Sequence, residues 1–142
     1  MALPLIETAA AVVLTVAIKL GVLVTKWKSR AELQRFLKIH PFIRDDRSLA
    51  AFKQLARRNM RIALLLLGPL VLDAACIIVV VRAYGLAGLG MVLLVNIPVF
   101  WLSRSVGALE AQARSLSCED AELLAEYTRV GKSWVKKAFP DF

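Results

Sequence analysis

The fold of this chain is decided by residues 62–81, which read IALLLLGPLVLDAACIIVVV and carry a single charged group, Asp73. A helix rises about 1.5 Å per residue, so about 20 apolar residues cross the ~30 Å hydrocarbon core of a bilayer. This segment therefore predicts a membrane-spanning helix that holds one carboxyl group near its middle. A charge at that depth needs a partner or a function.

Two further apolar segments have a similar length, from Leu3 to Val24 and from Ala83 to Leu102. The whole chain of 142 residues is 58% hydrophobic, whereas about 45 to 50% is ordinary for a soluble domain. We therefore predict an all-α polytopic membrane protein with three transmembrane helices. Gly68-Pro69 is expected to bend the second of them, because proline removes a backbone hydrogen bond.

Positive charge is concentrated between the first two spans. Residues 26–61 hold eleven Lys or Arg and three acidic residues, so this loop accounts for the whole net charge of +8. By the positive-inside rule the loop and the C-terminal tail are cytoplasmic and the N-terminus is outside, and the bacterial inner membrane is the expected location. Glu7 and the absence of an early basic region indicate a retained first span rather than a cleaved signal peptide.

The predicted organisation has five parts. They are a first transmembrane helix (1–25), a basic loop with amphipathic helices (26–61), a second and a third transmembrane helix (62–82 and 83–102), and a helical tail (103–142). In the loop, Ser29 and Glu32 have capping-box spacing, which predicts a short surface helix that ends at Pro41. A helix capped by Asp46 is expected to continue without a break into the second span.

Basic side chains near the loop ends are expected to contact lipid. Anionic headgroups attract each nearby Lys or Arg by about 1 kcal/mol. An acidic partner domain is the alternative, and nucleic acid is less favoured because the loop adjoins the bilayer. The predicted lipid-contacting residues are Lys26, Lys28, Lys53, Arg57, Arg58 and Arg61.

The tail carries an amphipathic pattern with Tyr127, Val130 and Trp134 on one helical stripe. Such a stripe either lies in the membrane interface or docks on another protein. We predict that these three side chains contact a partner.

Three polar residues, one from each predicted span, form a possible cluster: Lys19, Asp73 and Asn96. Asp73 and Asn96 lie at similar depths near the midplane, whereas Lys19 lies closer to the cytoplasm and has a side chain long enough to reach Asp73. In a packing role, Asp73 pairs with Lys19 or Asn96 and sets how the helices pack. In a transport role, Asp73 binds a proton, a cation or a polar ligand, and in a third possibility it contacts another chain. Lys19 has an alternative of its own, which is to extend its ammonium group toward the cytoplasmic headgroups.

Signatures of catalysis and cofactor binding are sparse. His40 is the only histidine, so the spans lack the ligands for a bis-histidine haem, and no cluster of metal ligands is apparent. Cys76 and Cys118 fall in different predicted compartments, which argues against a disulfide. We expect no enzyme activity, no cofactor and no metal.

The sequence favours a small non-catalytic subunit that packs against and stabilises or positions a larger membrane protein complex, in contact with anionic phospholipid. The alternative is one protomer of an oligomeric ion or proton channel or transporter that uses Asp73. A membrane enzyme would require another chain or the tail to supply partners for His40.

Overall fold

The computed structural model describes residues 5–137 and 139–142, without the side chain of Leu5. Its regular structure consists of helices α1 (Leu5–Ile39), α2 (Asp46–Ala113) and α3 (Ala121–Lys136). An isolated bridge between Ile43 and Cys118 joins the two links between helices. The predicted all-α fold class is confirmed.

Helices α1 and α2 are each long and apolar enough to cross a membrane. In the most apolar 18-residue segment of each helix, only 28% of α1 and 17% of α2 is buried within the protein. The central helix of a soluble domain buries most of its apolar surface, so these two helices leave apolar faces that need another apolar environment.

Helix α1 is longer than predicted and continues without interruption from its apolar half through Ser29 to Ile39. The prediction of a separate surface helix from the capping-box spacing is therefore wrong. Ser29 is 3% exposed and points inward, and Leu33 one turn later is fully buried. Tertiary packing of this face outweighs the local capping preference. The end of the helix before Pro41 is as expected.

Helix α2 begins one residue earlier than predicted, because Asp45 and not Asp46 is the N-cap. The Asp45 carboxylate accepts a hydrogen bond from the Ser48 backbone N–H at 2.8 Å, and the Asp45 N–H donates to Ser48 Oγ at 3.2 Å. The hydrogen bond from the Ser48 backbone N–H to the carboxylate lowers the pKa of Asp45. The helix then runs into the apolar segment without a break, as predicted.

The long helix α2 reverses direction at Gly85, which has a φ of 56° and a ψ of −130°. Residues at similar distances before and after Gly85 consequently pack together, such as Val80 with Val92 and Met60 with Val106. A Cβ atom at Gly88 would lie 2.6 Å from the Val80 carbonyl oxygen, so this crossing requires glycine. Helix α2 is therefore two arms, residues 46–84 and 86–113, which run antiparallel.

Most of the buried apolar side chains among the described residues belong to one of two clusters. The larger one, the head core, joins the end of α1, both ends of α2, and α3. At its centre Phe52 is fully buried, and its ring centroid lies 4.6 Å from that of Tyr127 and 5.7 Å from that of Trp134. The smaller one, the span core, consists of Ala11, Cys76, Val80 and Val92. The apolar half of the molecule thus has a thin interior.

Candidate functional site

A buried ion pair joins α1 to the first arm of α2. Lys19 Nζ lies 2.5 Å from Asp73 Oδ2, and the two side chains are 7% and 3% exposed. Lys19 therefore extends toward Asp73 and not toward the end of the helix. Each charge offsets much of the cost of burying the other, and that cost is about 2.5 to 3.5 kcal/mol for an unpaired charge at the centre of a membrane helix.

The pair leaves one carboxylate oxygen without a hydrogen bond. Among the described residues neither Asp73 Oδ1 nor Thr15 Oγ1, one turn before Lys19, has a partner. A cavity of about 30 Å³ adjoins Thr15 and is otherwise lined by apolar side chains, including Val80 and Val92. Such a volume holds a water molecule or two and no larger ligand.

Asn96 does not complete the predicted polar cluster. Its side-chain amide donates a hydrogen bond to the Val92 carbonyl of its own helix at 2.7 Å. The prediction of a three-residue cluster is corrected to a pair, Lys19 with Asp73. An asparagine can satisfy its donor one turn back on the same helix without any tertiary contact.

Three of the six predicted lipid-contacting residues bind groups of this chain. Lys53 Nζ lies 2.5 Å from Glu126 Oε1, and Arg58 Nη1 lies 2.9 Å from Glu32 Oε1. Arg57 donates to the backbone carbonyl of Phe142 and stacks on its ring. These contacts hold α1, α2 and the tail together. Lys28 and Arg61 are exposed.

The predicted partner-docking stripe is occupied by the chain itself. Tyr127, Val130 and Trp134 are 4%, 0% and 9% exposed and belong to the head core. The Tyr127 hydroxyl donates to the Ala113 carbonyl at 2.6 Å and accepts from the Leu116 N–H at 2.9 Å, and burial raises the pKa of Tyr127. These residues are therefore not a free docking surface. An amphipathic stripe does not reveal whether its partner is the same chain or another.

A cavity of about 380 Å³ lies where the head core meets the apolar arms, and we call it the junction cavity. Its polar lining includes Lys26, Ser29, Asn59 and Glu110. Most of its apolar lining comes from Ile62, Ala63, Leu64, Leu66 and Leu67. Asn59 is 7% exposed, and its Nδ2 has no hydrogen-bond partner in the part of the chain described. Burial raises the pKa of Glu110, and the nearby Lys26 opposes that rise.

Sequence reasoning missed this cavity, although one signal was present. Asn59 falls on the same helical stripe as the buried residues Phe52 and Ala56, so a polar group is placed where the pattern calls for an apolar one. Glu110 gives no such signal. It comes near Asn59 only because α2 folds back at Gly85.

The remaining candidates for chemistry are separated. His40 follows α1, and its ring centroid is 5.1 Å from that of Phe36. The Ser48 hydroxyl is engaged with Asp45. Cys76 is buried in the span core, and Cys118 lies in the link before α3; both are free thiols.

Comparison of the chain with protein-family models, with curated proteins and with solved structures found no match.

Proposed function

We propose that this protein is a small non-catalytic integral membrane subunit that packs against a larger membrane protein and stabilises or positions it. In this proposal α1 crosses the bilayer once and α2 crosses it twice, turning at Gly85. The basic loop and the tail lie in the cytoplasm of a bacterial cell, and the N-terminus lies outside. The reversal at Gly85 supports the two crossings, since both arms of α2 carry exposed apolar residues.

The observation that carries the proposal is the contrast between a thin span core and extensive exposed apolar faces. Leu65, Val71 and Leu94 are 76%, 71% and 69% exposed. Helix association within a bilayer depends on close packing and interhelical hydrogen bonds, and such broad faces offer area for it. The exposed apolar faces are therefore the surfaces on which a larger membrane protein packs in this proposal.

The buried ion pair supports the same proposal. Because Asp73 is buried and paired with Lys19, its charge is used to hold α1 against α2. The outer faces are then presented in a defined arrangement to a neighbouring protein.

The test is site-specific photocrosslinking of the full chain in its native membrane. A photoreactive residue is placed in turn at Val13 on α1, Ile78 on the first arm and Phe100 on the second arm, which are 68%, 56% and 68% exposed. We expect at least one face to give a reproducible adduct with one larger membrane protein, while another gives lipid adducts only. Lipid adducts at every position would contradict the proposal.

A second candidate is a proton or cation path through an oligomer, and the unpartnered Asp73 Oδ1 favours it. The variant Asp73→Asn keeps the side-chain shape and removes the ionisable group. Loss of flux in proteoliposomes with unchanged assembly would support this candidate against the subunit proposal. Lost assembly, with no flux through the intact protein, would exclude it.

A further inference from the structure

The junction cavity is lined by side chains of two chemical kinds. Ile62, Ala63, Leu64, Leu66 and Leu67 give it apolar lining from the apolar part of α2, and Met60, Val106 and Trp134 add apolar lining from the head core. Lys26, Ser29, Asn59 and Glu110 supply polar groups to the same lining. A ligand that fills this space needs an apolar portion joined to a polar one. The volume of about 380 Å³ lies within the ~300 to 1,000 Å³ range of small-molecule sites.

The polar part of the lining offers a donor that lacks an acceptor. Asn59 is 93% buried, the complement of its 7% exposure, and its Nδ2 has no hydrogen-bond partner among the residues described. A buried amide donor is normally satisfied. Ser29, which is 3% exposed, and the Lys26 ammonium group supply further donors on the same lining. Together these groups suit a phosphate.

The same lining offers a carboxylate acceptor, Glu110, that lies near Lys26 but has no direct ion pair among the described residues. Glu110 is half-buried, and within residues 5–137 and 139–142 its carboxylate forms no ion pair. Arg114 Nε bonds to the backbone carbonyl of Glu110 at 3.1 Å and not to its carboxylate. A carboxylate held away from water in this way favours a ligand that carries a hydrogen-bonding cation.

We propose that the junction cavity binds one phospholipid whose headgroup carries both a phosphate and a primary ammonium group, as phosphatidylethanolamine does. The phosphate lies toward Lys26, Ser29 and Asn59, the ammonium lies toward Glu110, and an acyl chain follows residues 62–67. Lys26 carries a positive charge for the phosphate and Glu110 a negative charge for the ammonium, so the pair of side chains matches a zwitterionic headgroup. Lys137, at the rim, is already paired with Asp141.

This site differs from a diffuse basic surface that attracts anionic lipid. Lys53, Arg57 and Arg58 form contacts within the chain. In this proposal the lipid headgroup is recognised by the donors and the single carboxylate of the cavity, and not by the net charge of the surface. Glu110 becomes the residue that determines headgroup specificity.

The test is native mass spectrometry of the full chain in mild detergent, titrated with phosphatidylethanolamine, phosphatidylcholine and phosphatidylglycerol of identical acyl chains. We expect one bound phosphatidylethanolamine, held about tenfold more tightly than the other two, which is the effect of one hydrogen bond to a charged group. Phosphatidylcholine lacks N–H donors, and phosphatidylglycerol lacks the cation.

Two variants separate the roles of the polar groups. Glu110→Gln is expected to abolish the preference for phosphatidylethanolamine, whereas the matched control Glu122→Gln, on the exposed first turn of α3, keeps it. Asn59→Leu is expected to weaken all three lipids equally, because all three share the phosphate. The thermal midpoint of each variant verifies that it is folded.

Equal affinity of the wild type for the three lipids would overturn the proposal. So would tightest binding of phosphatidylglycerol, or a phosphatidylethanolamine preference that survives Glu110→Gln. The measurement uses the isolated protein, so its outcome does not depend on whether a partner subunit exists.

Discussion

Lys19 and Asp73 face each other across α1 and α2 with almost no exposure to the surroundings. Because the helical rise is constant, counting residues from the ends of each span predicts that the two side chains lie at depths from which they can reach each other. The same count places Asn96 at the depth of Asp73, yet Asn96 bonds to its own helix. Depth follows from the sequence, whereas the direction in which a side chain points depends on how the helices are rotated against one another.

The ion pair predicts non-additive effects of mutation. Asp73→Leu or Lys19→Met alone leaves one buried charge unpaired and is expected to destabilise the protein by about 3 to 5 kcal/mol. The double variant removes both charges, so most of that loss should be recovered. The measurement is the thermal midpoint of the full chain in detergent for the four proteins of the double-mutant cycle. Additive losses would show that the pair contributes no coupling.

Among the elements, the reversal of α2 depends on small residues at defined places. Gly85 has a positive φ, which glycine adopts without strain. Gly88 lies against the Val80 carbonyl, whereas a Cβ atom at Gly90 would meet nothing within 4 Å. Three glycines that look alike in the sequence therefore have different functions in the structure.

This difference predicts opposite outcomes for two matched substitutions. Gly88→Ala forces the arms apart and is expected to lower the thermal midpoint of the full chain. Gly90→Ala fills open space in a helix and should be neutral or stabilising, by up to about 1 kcal/mol. Equal effects of the two variants would show that the close approach at Gly88 does not limit stability.

Helix α3 is attached to α2 by an ion pair whose strength depends on pH. The Lys53 side chain beside Glu126 lowers the pKa of that carboxyl below its ordinary value of 4.5. A carboxyl group with a lowered pKa in the folded state contributes stability above its unfolded pKa and loses it as the pH falls through the folded value. The contribution of this pair is therefore present at neutral pH and declines below about 4.5.

Glu126→Gln removes the group that titrates. Its thermal midpoint is expected to be lower than that of the wild type at neutral pH, and the difference should disappear on acidification below about 4.5. The effect is small, because the Glu126 side chain is 39% exposed and solvent screens surface ion pairs. The control is Glu122→Gln, outside any ion pair among the described residues. A difference that stayed constant with pH would exclude the ion pair as its cause.

On the scale of the whole molecule, the head core and the span core stabilise different parts of the protein. The head core surrounds Phe52, whereas the span core is thin and its helices have most of their apolar surface directed outward. The head is thus held by its own interior. In the proposed membrane location, the apolar arms are held chiefly by the bilayer.

Phe52→Ala tests this division. It is expected to destabilise the head by about 3 to 5 kcal/mol, since it removes a fully buried aromatic ring. The apolar arms should remain in the membrane, because their insertion does not depend on the head. Hydrogen exchange of the protein in nanodiscs would show faster exchange in α3 with unchanged protection of residues 70–80. Loss of protection in both regions would mean that the molecule unfolds as a single unit.

The sequence by itself determined the helical class, the apolar segments and the continuity of α2 from the basic loop, because these depend on composition and on periodicity along one helix. It also located Asp73 as the charge in need of a partner. The tertiary structure decided that Lys19 is that partner and Asn96 is not, that α3 packs on its own chain, and that Asn59 and Glu110 share a cavity. Those outcomes depend on how separate helices are rotated and where α2 turns back, which no local pattern specifies.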